Sequence, residues 1–371
     1  MDSTELFNIL ALLKTDGVGD VVAKKLINHC GSAENVFQSK ANHLKAIDGI
    51  GDVLIKNLRD KSVFEKAEQE LRYVQQEAIS VLYYQNDNYP GRLKHCIDGP
   101  VLVFASGNLN LENKKIISIV GTREITSYGT NFCKKLIEDL AVFNPIIVSG
   151  FAYGVDIVAH QAAMDNNLQT IGVLAHGLNQ IYPKTHKKYV ANMQSNGGFI
   201  TEFWSNSNPE KENFVRRNRI VAGISEATIV IESAEKGGSL ITAMIANDYN
   251  RDVFAVPGRT SDKFSQGCNN LIKTQRANLM TSAADLVYIL NWELSEASKS
   301  SNEKTVQKQL FVSLDNDEQK IFDYLQKNGK QLLDIIALEC DFPIFRISSL
   351  LLNMELKGVI RPLPGKLFEA V

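Results

Sequence analysis

The chain has 371 residues, 44% of them hydrophobic and 22% charged, which is typical of a globular protein with two or three domains. Its net charge of −2 gives no overall basic character, so any case for nucleic-acid binding depends on local clusters. The five scattered cysteines form no CxxC pair, which disfavours a metal site or disulfide framework and favours a reducing cytoplasm. The acidic first residues lack a signal-peptide pattern, and no apolar run approaches the ~20 residues of a membrane helix.

Residues 1–75 show helical patterns and a weak internal repeat. The segment Gly17–Leu26 recurs as Gly49–Leu58, and each begins with a GxG turn that opens a helix. The pair resembles a tandem helix-hairpin-helix unit, in which backbone N–H groups at a helix start bind a DNA phosphate. A tight turn between packed helices explains the same glycines, and Asp20 and Asp52 would repel a phosphate. Both interpretations stay open at this point.

Residues 76–290 alternate short apolar runs with helical patterns. The runs are rich in β-branched residues and almost continuously apolar, which indicates strands buried on both faces. This pattern predicts an α/β domain with an extended Rossmann-like, mostly parallel sheet. The predicted strands are Val101–Phe104, Ile116–Val120, Ile146–Val148, Thr170–Leu174, Phe199–Thr201, Thr228–Ile231 and Val253–Val256.

The last part of the chain is predicted to be a linker followed by a small domain. Residues 291–312 are rich in Ser, Glu and Lys, a linker composition. Residues 313–371 contain three helical patterns and a β-hairpin, which together predict a winged helix. The helices are Asp317–Lys327, Leu332–Cys340 and Ile344–Lys357, and the hairpin strands are Val359–Pro362 and Leu367–Ala370 around Pro364-Gly365.

Glycine, hydroxyl and basic residues follow several of the predicted strands. Parallel strands end at the same edge of a sheet, so these clusters are expected to lie along one edge. Glycine loops and helix starts bind phosphate through backbone N–H groups, and Arg and Lys bind it through charge. Five clusters on one edge favour a long anionic ligand. The candidate contact residues are Gly121, Thr122, Arg123, Ser149, Gly150, Lys184, Lys187, Arg217, Asn218, Arg219, Gly237, Gly238 and Ser239.

Two details of these clusters carry expectations of their own. Arg216, Arg217 and Arg219 cannot share one helix face, so one or two should face the ligand and the others should pair with carboxylates such as Glu202 or Glu232. Asp156 and His160 have a spacing that a metal site could use. We favour the simpler interpretation, in which Asp156 complements a helix start and His160 packs beneath the loop.

The motifs of common cofactor sites and catalytic sites are missing from this edge. The sequence contains no GxxxxGK[ST] loop and no GxGxxG, so neither a P-loop nucleotide nor a dinucleotide cofactor is expected. We find no nucleophile elbow, no carboxylate pair at a loop and no setting for a catalytic cysteine. The edge therefore favours binding without catalysis, cofactor or metal.

Seven motifs follow one another in the central block: Gly121–Arg123, Ser149–Asp156, Gly177–Pro183, Arg217–Gly223, Gly238–Ala243, Val256–Gly258 and Gly267–Ile272. With these motifs, the block resembles the DNA-processing protein A (DprA/Smf) family. The resemblance spans about 115–280 and implies a cytosolic bacterial protein, usually dimeric, that binds single-stranded DNA and loads the RecA recombinase in natural transformation and recombination. It implies DNA contacts at nine of the candidates: Thr122, Arg123, Ser149, Gly150, Lys184, Arg217, Asn218, Gly238 and Ser239.

The chain departs from the family pattern at two places. It has Val215-Arg216 where the family commonly has proline before Arg-Asn-Arg, and it lacks the glycine that the family commonly carries near Gln275-Arg276. These departures leave the local path of the arginine helix open.

Two other functions compete with this one. A nucleotide phosphoribohydrolase with a related core would need a carboxylate where this chain has Met244. A duplex-binding regulator would need a basic recognition helix, but Ile344–Lys357 has little basic face. We therefore expect the winged helix to be a protein-contact or accessory module.

Overall fold

The computed structural model describes residues 1–111, 115–293, 314–363 and 367–370. The chain divides into two compact units, Met1–Leu294 and Ser295–Val371. In the described ranges, every helix is too short or too polar to cross a bilayer. The linker predicted at 291–312 lies mostly outside the described residues, and a domain boundary near residue 75 stays a prediction.

The first unit begins with a group of helices, as the apolar spacing predicted. The side chain of Asp2 caps the first helix by accepting a hydrogen bond from the Glu5 backbone N–H at 2.7 Å. Buried side chains such as Leu10 and Leu26 share one continuous core with the sheet that follows. The helices are α1 Ser3–Lys14, α2 Asp20–Cys30, α3 Ala33–Gln38, α4 Ala41–Lys45, α5 Asp52–Asn57 and α6 Ser62–Gln76.

The two repeated GxG turns have the same backbone but different surroundings. Gly17 and Gly49 both adopt left-handed φ values, +87° and +85°. In the first repeat, the Asp20 carboxylate accepts a hydrogen bond from the Val101 N–H at 2.9 Å and pairs with Arg219 at 3.0 Å. In the second repeat, Asp52 remains 82% exposed. The first turn therefore docks these helices on the sheet domain, which supports the packing interpretation for that turn.

Asp20→Ala is expected to lower the free energy of unfolding by about 2 kcal/mol, because it leaves the buried Val101 N–H without its acceptor and removes a carboxylate from Arg219. Asp52→Ala is the matched control, since Asp52 has the equivalent position and pairs only at the surface with Lys45 at 2.6 Å. We expect it to cost less than about 1 kcal/mol. Urea denaturation of both variants tests this difference, which equal effects would contradict.

Within the described residues of the first unit, the sheet has nine strands, and all seven predicted runs are confirmed as strands. Sequence reasoning missed the short edge strands Ser80–Tyr83 and Asn278–Leu279. The strands are β1 Ser80–Tyr83, β2 Leu102–Asn108, β3 Ile116–Val120, β4 Ile146–Ser149, β5 Thr170–Val173, β6 Gly197–Thr201, β7 Ala227–Val230, β8 Asp252–Ala255 and β9 Asn278–Leu279.

The strand order is β1-β2-β6-β5-β4-β3-β7-β8-β9, and only β1 with β2 and β2 with β6 pair antiparallel. Successive residues of each parallel strand face opposite layers. Ile116 and Val120 belong to one core cluster, whereas Ile117 and Ile119 belong to another. The sheet is therefore buried on both faces, as its continuous apolar runs predicted.

Helices and two short 3₁₀ segments surround this sheet. Short loops at the carboxyl ends of β3, β4 and β7 each lead into a helix, which brings the loops to one edge. The helices are α7 Gly91–Lys94, α8 Ser127–Leu140, α9 Val155–Asp165, α10 Val190–Ser195, α11 Lys211–Ile224, α12 Gly238–Asp248, α13 Gln266–Lys273 and α14 Ala283–Ile289, and the 3₁₀ segments are Ala141–Phe143 and Lys184–Tyr189.

The second unit is a winged helix, as predicted. Its core contains Ile321, Ile336, Ile347 and Leu351. Its three strands pair in the order β10-β12-β11, and the predicted Pro364-Gly365 turn lies outside the described residues. The elements are α15 Asn316–Asn328, β10 Gln331–Leu332, α16 Leu333–Glu339, α17 Ile344–Leu356, β11 Ile360–Leu363 and β12 Leu367–Ala370.

Candidate functional site

A cleft of about 630 Å³ opens at the carboxyl edge of the parallel strands; we call it the edge cleft. Loops after β3, β4 and β7 and the first turns of α11 form its walls. Four of the five predicted clusters therefore meet at one site. The predicted residues that line it are Gly121, Thr122, Arg123, Gly150, Arg217, Asn218, Gly237, Gly238 and Ser239.

The loop after β3 is held close to its neighbours by backbone contacts. The Thr122 N–H donates to the Glu232 carbonyl at 2.7 Å, and the Thr122 carbonyl accepts from the Val155 N–H at 3.1 Å. A Cβ atom on Gly121 would lie only 2.4 Å from Cγ2 of Val155. Glycine is required here because the loop packs directly on the start of α9. Arg123 is therefore presented from a rigid support.

The loop after β4 contains a buried charge arrangement. The guanidinium of Arg217 lies across Gly150, where a Cβ atom would be 2.1 Å from Nη1, and it donates to the Val173 carbonyl. The carboxylate of Asp156 accepts from the Ala152 N–H at 3.2 Å. Glycine at position 150 thus gives the guanidinium its place in the floor of the cleft.

Arg217 and Asp156 attract each other, but burial affects both more strongly. Burial lowers the pKa of Arg217 to about 10, against the attraction of Asp156, so the side chain stays charged at neutral pH. Burial raises the pKa of Asp156, against the attraction of Arg217 and the hydrogen bonds of the loop. The Nε atom of Arg217 has no partner among the described residues. The cleft floor therefore holds a cation that its protein surroundings only partly compensate.

The glycine loop after β7 forms the opposite wall. The Ser239 hydroxyl donates to the Ser233 hydroxyl at 2.9 Å, and a Cβ atom on Gly237 would lie 2.2 Å from the Ser233 Oγ. Gly238 begins α12, and a Cβ atom there would have no neighbour within 4 Å. The start of an 11-residue helix thus lines the cleft with its backbone uncovered, an arrangement suited to an anion.

The fifth cluster continues from the cleft through the half-buried ring of Phe214, the exposed ring of Tyr182 and exposed lysines. Lys184 and Lys187 are exposed on the 3₁₀ segment. The Arg123 guanidinium lies 5.4 Å from the ring centroid of Phe214, and the Phe214 ring meets that of Tyr182 at 5.9 Å. Tyr182 is 42% exposed and immediately precedes Pro183 and Lys184 in the chain. Basic and aromatic groups therefore alternate along one surface.

Two predicted contact residues lie away from this surface. Ser149 is fully buried and donates its hydroxyl hydrogen to the Ile119 carbonyl at 2.6 Å. Arg219 is 8% exposed and pairs with Glu202 and Asp20 in the docking contact of α2. Both side chains are used within the fold, so the proposed ligand contacts leave them out.

The predicted pairing of part of the arginine cluster with Glu202 is confirmed, whereas contact of the remaining arginine with a ligand stays a prediction. Arg217 faces the edge cleft, whereas Arg216 and Arg219 both pair with Glu202. Glu232, the other predicted partner, instead accepts hydrogen bonds from the backbone and side chain of Thr126. Of the two carboxylates predicted as alternatives, Glu202 is therefore the arginine partner, and Glu232 holds Thr126, the N-cap residue of α8.

His160 packs beneath the loop, as expected. It is completely buried, its Nδ1 lies 2.7 Å from the Thr170 hydroxyl, and burial lowers its pKa to about 3. Its ring lies 5.8 Å from that of Phe151, a buried residue with a left-handed φ of +58°. His160 therefore supports the loop as a neutral group.

Sequence reasoning missed several cleft residues on the approach to α11. Pro209, Lys211 and Phe214 line the cleft, yet they belong to no glycine or arginine motif. Only their position indicated a role: Pro209 lies just before α11, and Lys211 and Phe214 lie in its first turn, ahead of Arg217 on the same helix. α11 runs unbroken through Val215, so the missing family proline leaves this helix regular.

The fold defines a class: a Rossmann-like α/β protein that carries a C-terminal winged helix. Residues 80–291 match the family described as DNA recombination-mediator protein A, and residues 308–366 match the DprA winged helix domain. The chain therefore belongs to the DprA/Smf family.

Relatives and solved structures agree with this assignment. Protein Smf of Escherichia coli is 33% identical over 307 residues, which cover 80% of this chain and 79% of that protein. The X-ray structure of DprA from Streptococcus pneumoniae has a TM-score of 0.65 at 31% identity and covers 80% of this chain and 99% of its own. DprA from Helicobacter pylori, studied for its single-stranded DNA binding mode, has a TM-score of 0.52 at 28% identity and covers 58% of this chain and 97% of its own.

Proposed function

We propose that this protein binds single-stranded DNA along the edge cleft and the Lys184–Lys188 surface, without catalysis, and loads RecA onto the strand in natural transformation and recombination. One observation carries the proposal. The residues that line the cleft include three cations, Arg123, Lys211 and Arg217, but only one carboxylate, that of Asp156. The exposed ring of Tyr182 continues this basic surface. Single-strand binders combine such a positive groove with aromatic stacking surfaces. The single-stranded DNA binding mode of the H. pylori relative supports the same ligand.

The cleft is less suited to hydrolysis. Asp156 is 8% exposed and accepts hydrogen bonds from its own loop, so it lacks the access that a general base needs. A phosphoribohydrolase would need a carboxylate at the position of Met244, and this methionine, which is 48% exposed, provides none. Incubation with nucleoside monophosphates should release no free base, and release at enzymatic rates would favour the hydrolase instead.

We also propose a cytoplasmic homodimer organised as 1–75, 76–290 and 313–371, with a linker at 291–312. Light scattering of the full chain tests the dimer, and limited proteolysis tests the linker.

RecA loading is tested by filament assembly on oligonucleotides, with the full chain expected to shorten the lag before RecA filaments form. An unchanged lag with a chain that still binds DNA would remove the loading role and leave the binding role.

Arg123→Ala and Lys184→Glu are each expected to weaken oligo-dT binding about tenfold, because each removes a charged group that binds phosphate. The slope of log K against log salt should become shallower by about 0.7 for each phosphate that the variant no longer neutralises. Lys66→Glu is the charge-matched control for Lys184→Glu, and Lys66→Ala is that for Arg123→Ala, since Lys66 is exposed on α6, outside the residues that line the cleft. Gel shifts at several salt concentrations measure all of these variants, and an equal weakening in the controls would contradict a specific path.

A further inference from the structure

A second cleft of about 460 Å³ lies between α1, α2 and the approach to α11; we call it the side cleft. It is lined by Lys14, Asp20, Trp204, Asn208, Asn213 and Arg216 among others. The function proposed above makes no use of it.

The side cleft differs from the edge cleft in its charge. Its lining contains two cations, Lys14 and Arg216, and three carboxylates, Asp20, Glu202 and Glu210. Asp20 and Glu202 are in turn paired with Arg216 and with Arg219 behind it. A phosphate would gain little electrostatic attraction here, because the positive and negative charges of the lining nearly cancel. A neutral ligand with hydrogen-bonding edges fits this chemistry better.

Amide groups and one ring provide those contacts. Asn206, Asn208 and Asn213 line the cleft. The Asn213 amide donates to the Asn208 carbonyl at 3.0 Å and the Asn208 amide oxygen accepts from Gln180 at 3.4 Å, but each amide has further donor and acceptor capacity. The Trp204 ring lies beside them, and the ammonium of Lys14 sits 4.7 Å from its centroid. Trp204 is half-buried and packs against the core, so a base that stacks on the face beneath Lys14 has to displace that ammonium group. Stacking on an aromatic ring together with edge hydrogen bonds is how proteins hold a nucleobase of a single strand.

The two clefts share a wall. Along the approach to α11, Asn208 and Glu210 line the side cleft, whereas Pro209 and Lys211 line the edge cleft. The helix continues the division, because Arg216 lines the side cleft and its neighbour Arg217 lines the edge cleft. The two clefts therefore lie on opposite sides of the same segment, so a base would reach the side cleft from a strand that binds the edge cleft by turning across this wall.

We propose that the side cleft is a nucleobase-binding subsite, in which one base of a bound single strand stacks on Trp204 while its backbone stays on the edge cleft. The inference rests on the proposed function, since the strand must first bind there. It also gives the N-terminal helices a direct part in DNA binding, because α1 contributes Lys14.

Tryptophan fluorescence tests the base stacking without altering it. The chain has two tryptophans, so Trp292→Phe leaves Trp204 as the only one. Saturation of this full-length variant with oligo-dT should quench its emission, whereas an abasic oligonucleotide of the same length should leave the emission nearly unchanged. Equal quenching by both strands, or none by either at demonstrated saturation, would overturn the proposed stacking.

Affinities for the same two strands give an independent readout. Trp204→Leu should weaken oligo-dT binding about tenfold, leave abasic binding unchanged, and be rescued by Trp204→Tyr, which keeps a stacking ring. Arg123→Ala should weaken both strands equally, because it acts on phosphate. If Trp204→Leu binds both strands more weakly at an unchanged melting temperature, the proposed base-binding subsite is contradicted but the proposed function is not. If the wild-type chain binds neither strand, both the subsite and the proposed function are contradicted.

Discussion

Arg217→Met should weaken oligo-dT binding about a hundredfold and lower the free energy of unfolding by about 3 kcal/mol. The guanidinium supplies the charge of the cleft floor, packs across Gly150 and donates to the Val173 carbonyl. Its removal deletes a charged hydrogen bond and leaves the Asp156 carboxylate buried without its compensating cation. Gel shifts and urea denaturation measure the two effects.

The stability loss should depend on pH in a predictable direction. Burial already raises the pKa of Asp156, and removal of Arg217 raises it further. A carboxyl whose folded pKa is raised retains a proton that the unfolded chain releases, so stability falls as pH rises through that interval. The cost of Arg217→Met should therefore be smallest below the ordinary aspartate pKa of about 3.9 and largest near neutral pH.

Asp156→Asn in the Arg217→Met background separates stability from binding. The double variant should recover part of the stability at neutral pH and lose the added pH dependence, because no buried carboxylate remains at that position. Its binding to oligo-dT should stay about a hundredfold weaker than that of the wild type, since the Arg217 cation is absent. Recovery of binding together with stability would mean that Arg217 acts only as a structural residue.

Much of this architecture could be predicted because its signals are local. A strand buried on both faces reads as a continuous apolar run, and Ile116–Val120 shows why, with alternate residues in two separate cores. β9 was not predicted, because it has only two residues, Asn278 and Leu279, and both are exposed. Such a strand is defined by its neighbour β8, and its own composition carries no signal.

The site was harder to predict because several of its residues act through tertiary partners. The roles of Arg217 and Arg219 depend on which carboxylates the fold brings near them, and Asp20 reaches Arg219 from 199 positions away. Gln275 is a position where the backbone conformation, and not a tertiary partner, explains a departure from the family pattern. It has a left-handed φ of +57°, which accounts physically for the glycine that the family commonly carries near this position.

Gly150→Ala should reproduce much of the Arg217 effect without removing a charge. The added Cβ atom would lie 2.1 Å from Nη1 and 2.5 Å from Nη2 of Arg217, so the guanidinium or the loop has to move. Overpacking of this kind costs about 1–3 kcal/mol. Displacement of the guanidinium also breaks its bond to the Val173 carbonyl. We expect binding to oligo-dT, measured by gel shift, to fall about tenfold or more.

Gly238→Ala is the matched substitution in the same cleft. A Cβ atom there meets nothing within 4 Å, and the residue opens α12, so stability should stay constant or rise by about 0.5 kcal/mol. Its effect on binding then reports how closely a phosphate approaches the helix start, separately from any change in stability. Gly150→Ala with wild-type stability and affinity would show that the guanidinium adjusts freely. In that case Arg217 would contribute its charge to the cleft but not a defined position.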